Sequence, residues 1–547
     1  MQNLSFDPRH AWYPVPDLGG IVSGAEWTVE VFTTEDALGL DAQRTRFDGR
    51  TLVADGLQWL GGQRSVPGQL RVEIGREQDA VTWRIHVDSG ADKTPVKGAK
   101  LLLRGLPDAV VETGWWGATT PAGESRVTPL GDCVRLAYPF PDLQTPWLAA
   151  GEGPGLTLSA RDDEVRAHRF YHYRPHWSPT PVAEVICDEL ATRRSRTFVS
   201  SGIRLRACPT YDALLGDLDA HLDHVAAAHG LVAWEDRTDV PGWAREIDLV
   251  LTLHGQHWTG HVFNTFDRMT EILEDLCGDV PGERVMAYLP GWEGRYYWQY
   301  PQYAPGEDLG GEPAFARLVA TAHRLGVHLM PMFGANGAHV GRYPRWRESV
   351  FLSPSHRFPV HVNTPDWDND RAPEDDQVFL NPGEPGFRAH LVAQVSAVVE
   401  RYDVDGVFLD TSGVWLDDPR HELHAGYRDL VADLRSRHPG LLVCGEGWYD
   451  GLLGQLPLNQ SWLPTERPVR HAGLPGRFAR TLAHLVTGAP GSGSTGVHEE
   501  GVWPATPSLL GRGCVPAIGV VEDTFTTHRE EVRRLCRELV AATTEDG

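Results

Sequence analysis

Residues 402–415 read YDVDGVFLDTSGVW. Val407, Phe408 and Leu409 form the body of a buried parallel strand, since a short run that is apolar on both faces needs cover on both sides. The run stops at an acid, Asp410, and Thr411, Ser412 and Gly413 open a loop. Residues 441–448, LLVCGEGW, repeat the pattern: an apolar strand, the acid Glu446, then the loop residues Gly447 and Trp448. A helical stretch from about His424 to Arg437 lies between the two. Strand, acid, loop, helix, strand, acid is one turn of a βαβ unit. It sets two carboxylates side by side at the C-terminal ends of adjacent parallel strands, the end at which a (β/α)8 barrel keeps its chemistry.

The same texture extends both ways. Candidate strands are Ile247–Leu253, Arg284–Leu289, Val327–Phe333, Val407–Leu409, Leu441–Cys444 and Val515–Val521, with Ser461–Leu463 and Leu485–Thr487 as weaker sixth and seventh strands. Helical spacing of apolar residues fills Glu312–Leu325 and Pro385–Tyr402. This alternation predicts a catalytic (β/α)8 TIM barrel over 245–547. Gly334 to Pro382 shows no clear regular element, and a loop of that length in a compact domain is usually functional or disordered. Ahead of the barrel, residues 1–208 carry short apolar runs such as Arg71–Ile74, Val81–Val87, Ala99–Leu103, Gly155–Ser159 and Phe198–Arg206, divided by Gly, Pro and Asp turns. That pattern predicts an N-terminal β-sandwich domain. Residues 209–244 read as a helical linker, with Leu214, Leu215, Leu218, Leu222 and Val225 on one face.

A net charge of −24 and a pI near 5.4 argue against nucleic acid or an anionic membrane surface as partner, because both require a basic face. No apolar run approaches the ~20 residues of a membrane span, and MQNLSFDPRHAWYP has no signal-peptide pattern. Seven scattered cysteines without a CxxC fit reduced thiols. The expectation is a cytoplasmic protein; the sequence does not fix its oligomeric state.

Nineteen Trp outnumber 17 Phe and 14 Tyr, and many sit in polar, Gly-rich contexts such as GWEGRYYWQY and GEGWYD. Indoles beside polar loop residues suit stacking on sugar rings; burial as ordinary large side chains is the rival account of each one. Two carboxylates facing one pocket are the equipment of glycoside hydrolysis. Asp410, short and with no evident apolar lid, reads as the nucleophile. Glu446, longer and beside Trp448 and Tyr449, reads as the acid/base of raised pKa.

Acids at the ends of strands four and five resemble the retaining α-glycosidase barrels of glycoside hydrolase families 13, 31, 36, 101 and 129. The GVFLD strand end, Asn381-Pro382 with the helix after it, and a β-sandwich ahead of the barrel resemble the family 101 and 129 group most. The resemblance implies a retaining glycosidase acting on α-linkages, with Asp410 as nucleophile and Glu446 as acid/base. The chain departs from family 13 in carrying Phe408 where that family has Arg two residues before the nucleophile.

Further candidates for carbohydrate binding follow the strand ends. Trp292, Glu293, Arg295 and Tyr296 follow strand two, Asn336 and His339 follow strand three, and Trp415 closes the loop after Asp410. His498, Glu499 and Asp523 are late residues that could fix a substrate hydroxyl. Trp367 lies within PDWDND, whose Asp366, Asp368 and Asp370 begin like a calcium loop but lack the Gly and closing Glu of an EF-hand. No cofactor is required, and calcium at these acids is the alternative. Two other functions compete. One is a catalytically inactive sugar-binding protein. The other is a metal-dependent barrel hydrolase using His254 and His257, whose H-x-x-H spacing is not the H-x-H that such a site wants.

Overall fold

The computed structural model describes residues 11–545, apart from 19, 21, 92, 108–109, 115–133, 152–154, 176–177, 355–376, 465–474 and 487–512. Two nine-stranded antiparallel sheets come first and end at Cys208. Strand Gln69–Arg76 shows why they pair face to face: Leu70, Val72 and Ile74 point inward while Gln69, Arg71 and Glu73 face solvent. Trp27 of the first sheet and Trp83 of the second meet across the interior, ring centroids 6.1 Å apart. The N-terminal domain is a β-sandwich.

Helix α1 (Tyr211–His229) follows, started by Thr210, whose side chain accepts the Ala213 amide, and stopped by Gly230 in the left-handed conformation. It lies on the second sheet. Its buried Asp217 takes hydrogen bonds from Trp147, Thr157 and Arg204.

The barrel closes from eight parallel strands: β1 (Leu249–Thr252), β2 (Val285–Leu289), β3 (His328–Gly334), β4 (Gly406–Asp410), β5 (Leu442–Glu446), β6 (Leu458–Pro464), β7 (Arg480–Val486) and β8 (Cys514–Gly519). Strand β7 starts earlier than the sequence suggested, and β6 is longer at both ends. Helices α2 (Phe266–Leu276), α3 (Gly311–Leu325), α4 (Pro385–Tyr402), α5 (Leu423–Arg437) and α6 (Glu522–Glu545) cover β1 to β4 and β8. The segment after β3 is not featureless: Gly337–His339 pairs with Gln377–Phe379, and Pro344–Ser349 forms a 3-10 turn.

One departure from the regular barrel matters. Between β5 and β6 there is no crossover helix, just a 3-10 turn at Asp450–Gly454. The sandwich and the end of α1 cover this flank instead. Asp450 is buried there and accepts hydrogen bonds from the hydroxyls of Tyr138 and Thr145, while its amide donates to the Gln144 carbonyl. Arg237, just beyond α1, donates to the carbonyls of Leu453 and Phe478. No helix among the described residues is long and apolar enough to cross a membrane.

Candidate active site

β4 and β5 pair in parallel with Leu409 opposite Gly445, so Asp410 and Glu446 leave neighbouring strands at the same end. The residues after Asp410 then clasp Glu446. Thr411 has φ of +61°, an uncommon conformation for a β-branched residue that costs about 1–2 kcal/mol. The turn aims its amide at Oε2 of Glu446, 2.8 Å away. Ser412 Oγ accepts the Glu446 amide at 2.9 Å, and the Gly413 amide donates to the Glu446 carbonyl at 2.7 Å. A Cβ at Gly413 would lie 2.8 Å from the backbone of Gly447, so the two strand ends can approach this closely only with glycine at 413.

Asn336 holds the turn from β3. Its amide nitrogen donates to the Thr411 carbonyl and to the Tyr427 hydroxyl of α5, and its oxygen accepts from Thr411 Oγ1. Expected as a sugar contact, it spends its amide on protein partners.

Asp410 is buried, and its carboxyl lies within hydrogen-bond reach of Glu446. Tyr300 donates its phenol proton to Asp410 Oδ2 at 3.0 Å. Burial first, and the neighbouring carboxyl second, hold the Asp410 pKa well above the usual carboxylate range; the Tyr300 bond pulls the other way. The phenols of Tyr288, Tyr296, Tyr297 and Tyr300 surround Asp410 closely enough that burial first and the Asp410 carboxyl second push their pKa values up. Two acids this close resist being ionised together.

The loop after β2 divides its duties. Glu293 is buried, and neither carboxyl oxygen has a hydrogen-bond partner among the described residues; burial pushes its pKa up to about 8. Arg295 does not pair with it, but donates to the Trp258 carbonyl and lies over the Trp298 ring. Tyr296 is buried edge-on to Tyr297. The expectation for Trp292 fails. It is 0% exposed, stacks on Phe315 of α3 and donates to the Met332 carbonyl at 2.8 Å. It belongs to the layer between strands and helices and offers no face to a sugar.

Trp448 is buried two residues beyond Glu446. His339 is buried edge-on to Trp298 and accepts the Arg342 amide. Trp415 lines a polar cavity of about 340 Å³ at the sandwich–barrel seam, and neither carboxyl of the dyad lines that cavity. His254 and His257 pack against Phe263 and Tyr296. Trp367, His498, Glu499 and the Asp366, Asp368 and Asp370 run lie outside the described residues, as does the Asp523 side chain. No cluster of three or more potential metal ligands occurs among the described residues.

Sequence reasoning missed Tyr300, Thr411, Ser412 and Tyr427. Tyr300 lies well beyond the end of β2, and nothing in its spacing points back at Asp410. Thr411 and Ser412 were visible as loop residues, but their contacts need the register between β4 and β5.

Comparison with known proteins relates the chain to glycoside hydrolase barrels. The family model described as Glycosyl hydrolase-like 10 matches residues 289–423, from the end of β2 to the start of α5; that span contains Asp410 and stops short of Glu446. The 1,4-alpha-glucan branching enzymes of Agrobacterium fabrum and Rhizobium radiobacter are each 24% identical over 290 residues, covering 47% of this chain and 37% of theirs. The chain thus spans little more than a third of the length of these curated relatives. Among solved structures, the alpha-N-acetylgalactosaminidase of Bifidobacterium bifidum in its Gal-NHAc-DNJ complex superposes with a TM-score of 0.63 at 12% identity, over 97% of this chain and 92% of that one. Its ligand-free form gives 0.59, also at 12% identity, over 95% and 89%. At that identity the likeness shows the fold: a TIM barrel behind a β-sandwich.

Proposed function

We propose that the protein is a retaining glycoside hydrolase acting on α-linkages of oligosaccharides or glycoconjugates, with Asp410 as nucleophile and Glu446 as acid/base. The observation that carries this is the closeness of the two carboxyls on adjacent strand ends. Retaining enzymes hold their pair at roughly 5–5.5 Å, whereas inverting enzymes leave roughly 6.5–9.5 Å for a water between them. The activities that name the similar proteins, alpha-glucan branching and alpha-N-acetylgalactosaminidase, support an α-linked substrate.

On this reading each carboxyl has one oxygen left to react. Tyr300 occupies Oδ2 of Asp410, so Oδ1 attacks the anomeric carbon. Thr411 occupies Oε2 of Glu446, so Oε1 carries the proton to the departing glycosidic oxygen. In this mechanism the pair begins with one proton, which passes by way of Glu446 to that oxygen as substrate binds. The carbon–oxygen bond breaks as the Asp410 ester forms. In the second half Glu446 takes a proton from water, the water oxygen displaces Asp410, and the dyad returns with its one proton.

The test is a panel of aryl α- and β-glycosides, with proton NMR of the first-formed anomer. An α-product from an α-substrate is expected. A β-product from an α-glycoside would establish inversion and remove Asp410 as nucleophile.

A further inference from the structure

We infer that Tyr300 is a positioning residue for Asp410, and that strand β3 carries Gly334 in order to seat it. The inference rests on the reading of Asp410 as nucleophile. The Tyr300 ring is fully buried against the backbone of β3. A Cβ at Gly334 would lie 2.3 Å from Cδ2 and Cε2 of that ring, inside any tolerable contact, and one at Gly337 would lie 3.2 Å from Cδ2. Any side chain at 334 must therefore displace the tyrosine.

The ring is also held from both sides. Tyr297 meets it edge-on with centroids 5.6 Å apart, and Tyr303 lies at the same distance, tilted by 48°. Tyr303 is pinned in turn, because its hydroxyl oxygen accepts the Gly334 amide at 2.9 Å. The same glycine thus admits one tyrosine and fixes the other. Tyr300 ends with its hydroxyl 3.0 Å from Asp410 Oδ2 and no room to swing away.

What this does to Asp410 follows from the groups around it. Glu446 faces it from β5, and Glu293, Tyr296 and Tyr297 from the loop after β2. Tyr288 of β2 and Tyr427 of α5 complete the set. Burial, Glu446 and Glu293 all favour the neutral acid, and none of these supplies a cation. The Tyr300 hydrogen bond favours the anion that must attack. It also fixes the carboxylate plane, which leaves one oxygen free for the anomeric carbon.

The experiment is steady-state kinetics with pH profiles on an aryl glycoside that the wild type hydrolyses. Tyr300→Phe removes one oxygen and keeps the ring. Its kcat should fall on the order of 10- to 100-fold, with KM within about threefold. The acid limb of kcat/KM should move to higher pH, because the dyad loses the donor that stabilises its anion. Gly334→Ala should reproduce that signature without touching the phenol; if that variant does not fold, Tyr300→Phe decides alone. A Tyr300→Phe enzyme with wild-type kcat, or with lowered kcat and an unmoved acid limb, overturns the inference. Asp410→Asn is run beside it. If that variant is dead while Tyr300→Phe behaves as wild type, the positioning role alone fails. If Asp410→Asn stays active, the reading of the nucleophile fails instead.

Discussion

Asp410 and Asp450 are both buried aspartates of the same barrel, one at its mouth and one at its seam with the sandwich, and they are opposites. Asp450 is answered. Tyr138 and Gly451 donate to one oxygen and Thr145 to the other, so donors offset the burial that raises its pKa. Asp410 has Tyr300 as donor, and its other close neighbour is a second acid. Burial by itself does not mark a reacting group. A carboxylate with donors on both oxygens holds structure together, and one placed against another acid is kept high in energy for a ligand to relieve.

The sharpest way to break this contrast is to make the same substitution at both positions. Asp410→Asn should lower turnover about 10⁴-fold or more, since the proposed nucleophile would carry the first step. The same variant should melt at a higher temperature than wild type at pH 7. The Asp410 pKa is raised on folding, so the folded state binds a proton that the unfolded chain releases above pH ~4. Stability therefore falls as pH climbs past that value, and Asn removes the loss. An active or less stable Asp410→Asn protein would place the unrelieved acid elsewhere.

Glu446→Gln tests the other half of the pair. Activity on natural glycosides should fall roughly 10²- to 10⁴-fold, while dinitrophenyl glycosides, whose leaving group needs no proton, should be spared in the first step. Azide should restore deglycosylation. Equal loss on every leaving group, with no azide effect, removes Glu446 from the acid/base role.

Two smaller effects belong to the structural side. Trp292→Ala should cost about 3–5 kcal/mol of stability in chemical denaturation, and the folded protein should keep its KM. A raised KM with unchanged stability would return Trp292 to the sugar site. Asp450→Asn should cost about 1–3 kcal/mol, because an amide meets donors where a carboxylate accepted them. Turnover per folded molecule should not change; a dead but stable Asp450→Asn enzyme would erase the distinction between the two aspartates.

The parts of this molecule legible in sequence are those set by local period. Val407–Leu409 and Leu441–Cys444 declare themselves as covered strands, and the acids that end them are visible in the same reading. The β-sandwich shows through in alternation such as Val81–Val87. Where two elements must meet, the reading weakens. Trp292 and Glu293 are neighbours in sequence, yet one packs under α3 and the other has no hydrogen-bond partner among the described residues, and residue type does not say which way the chain turns after β2. Burial at Asp410 comes from tyrosines far along the chain, which no local pattern around residue 410 announces. The short β5–β6 connection was hidden for the same reason, since its cover is supplied by residues more than two hundred positions upstream.

That connection has a consequence for how the chain can be made and cut. During synthesis the sandwich and α1 leave the ribosome before any barrel strand, so the surface on which the Asp450 turn docks is in place when β5 and β6 arrive. A fragment beginning at residue 245 would bring that turn to an empty flank. Asp450 would be left without Tyr138 and Thr145, and the Leu453 and Phe478 carbonyls without Arg237. The two domains are separate in outline but share one wall. A barrel cut free at residue 245 should therefore be less stable than the same strands in the whole chain, as chemical denaturation of the two would measure.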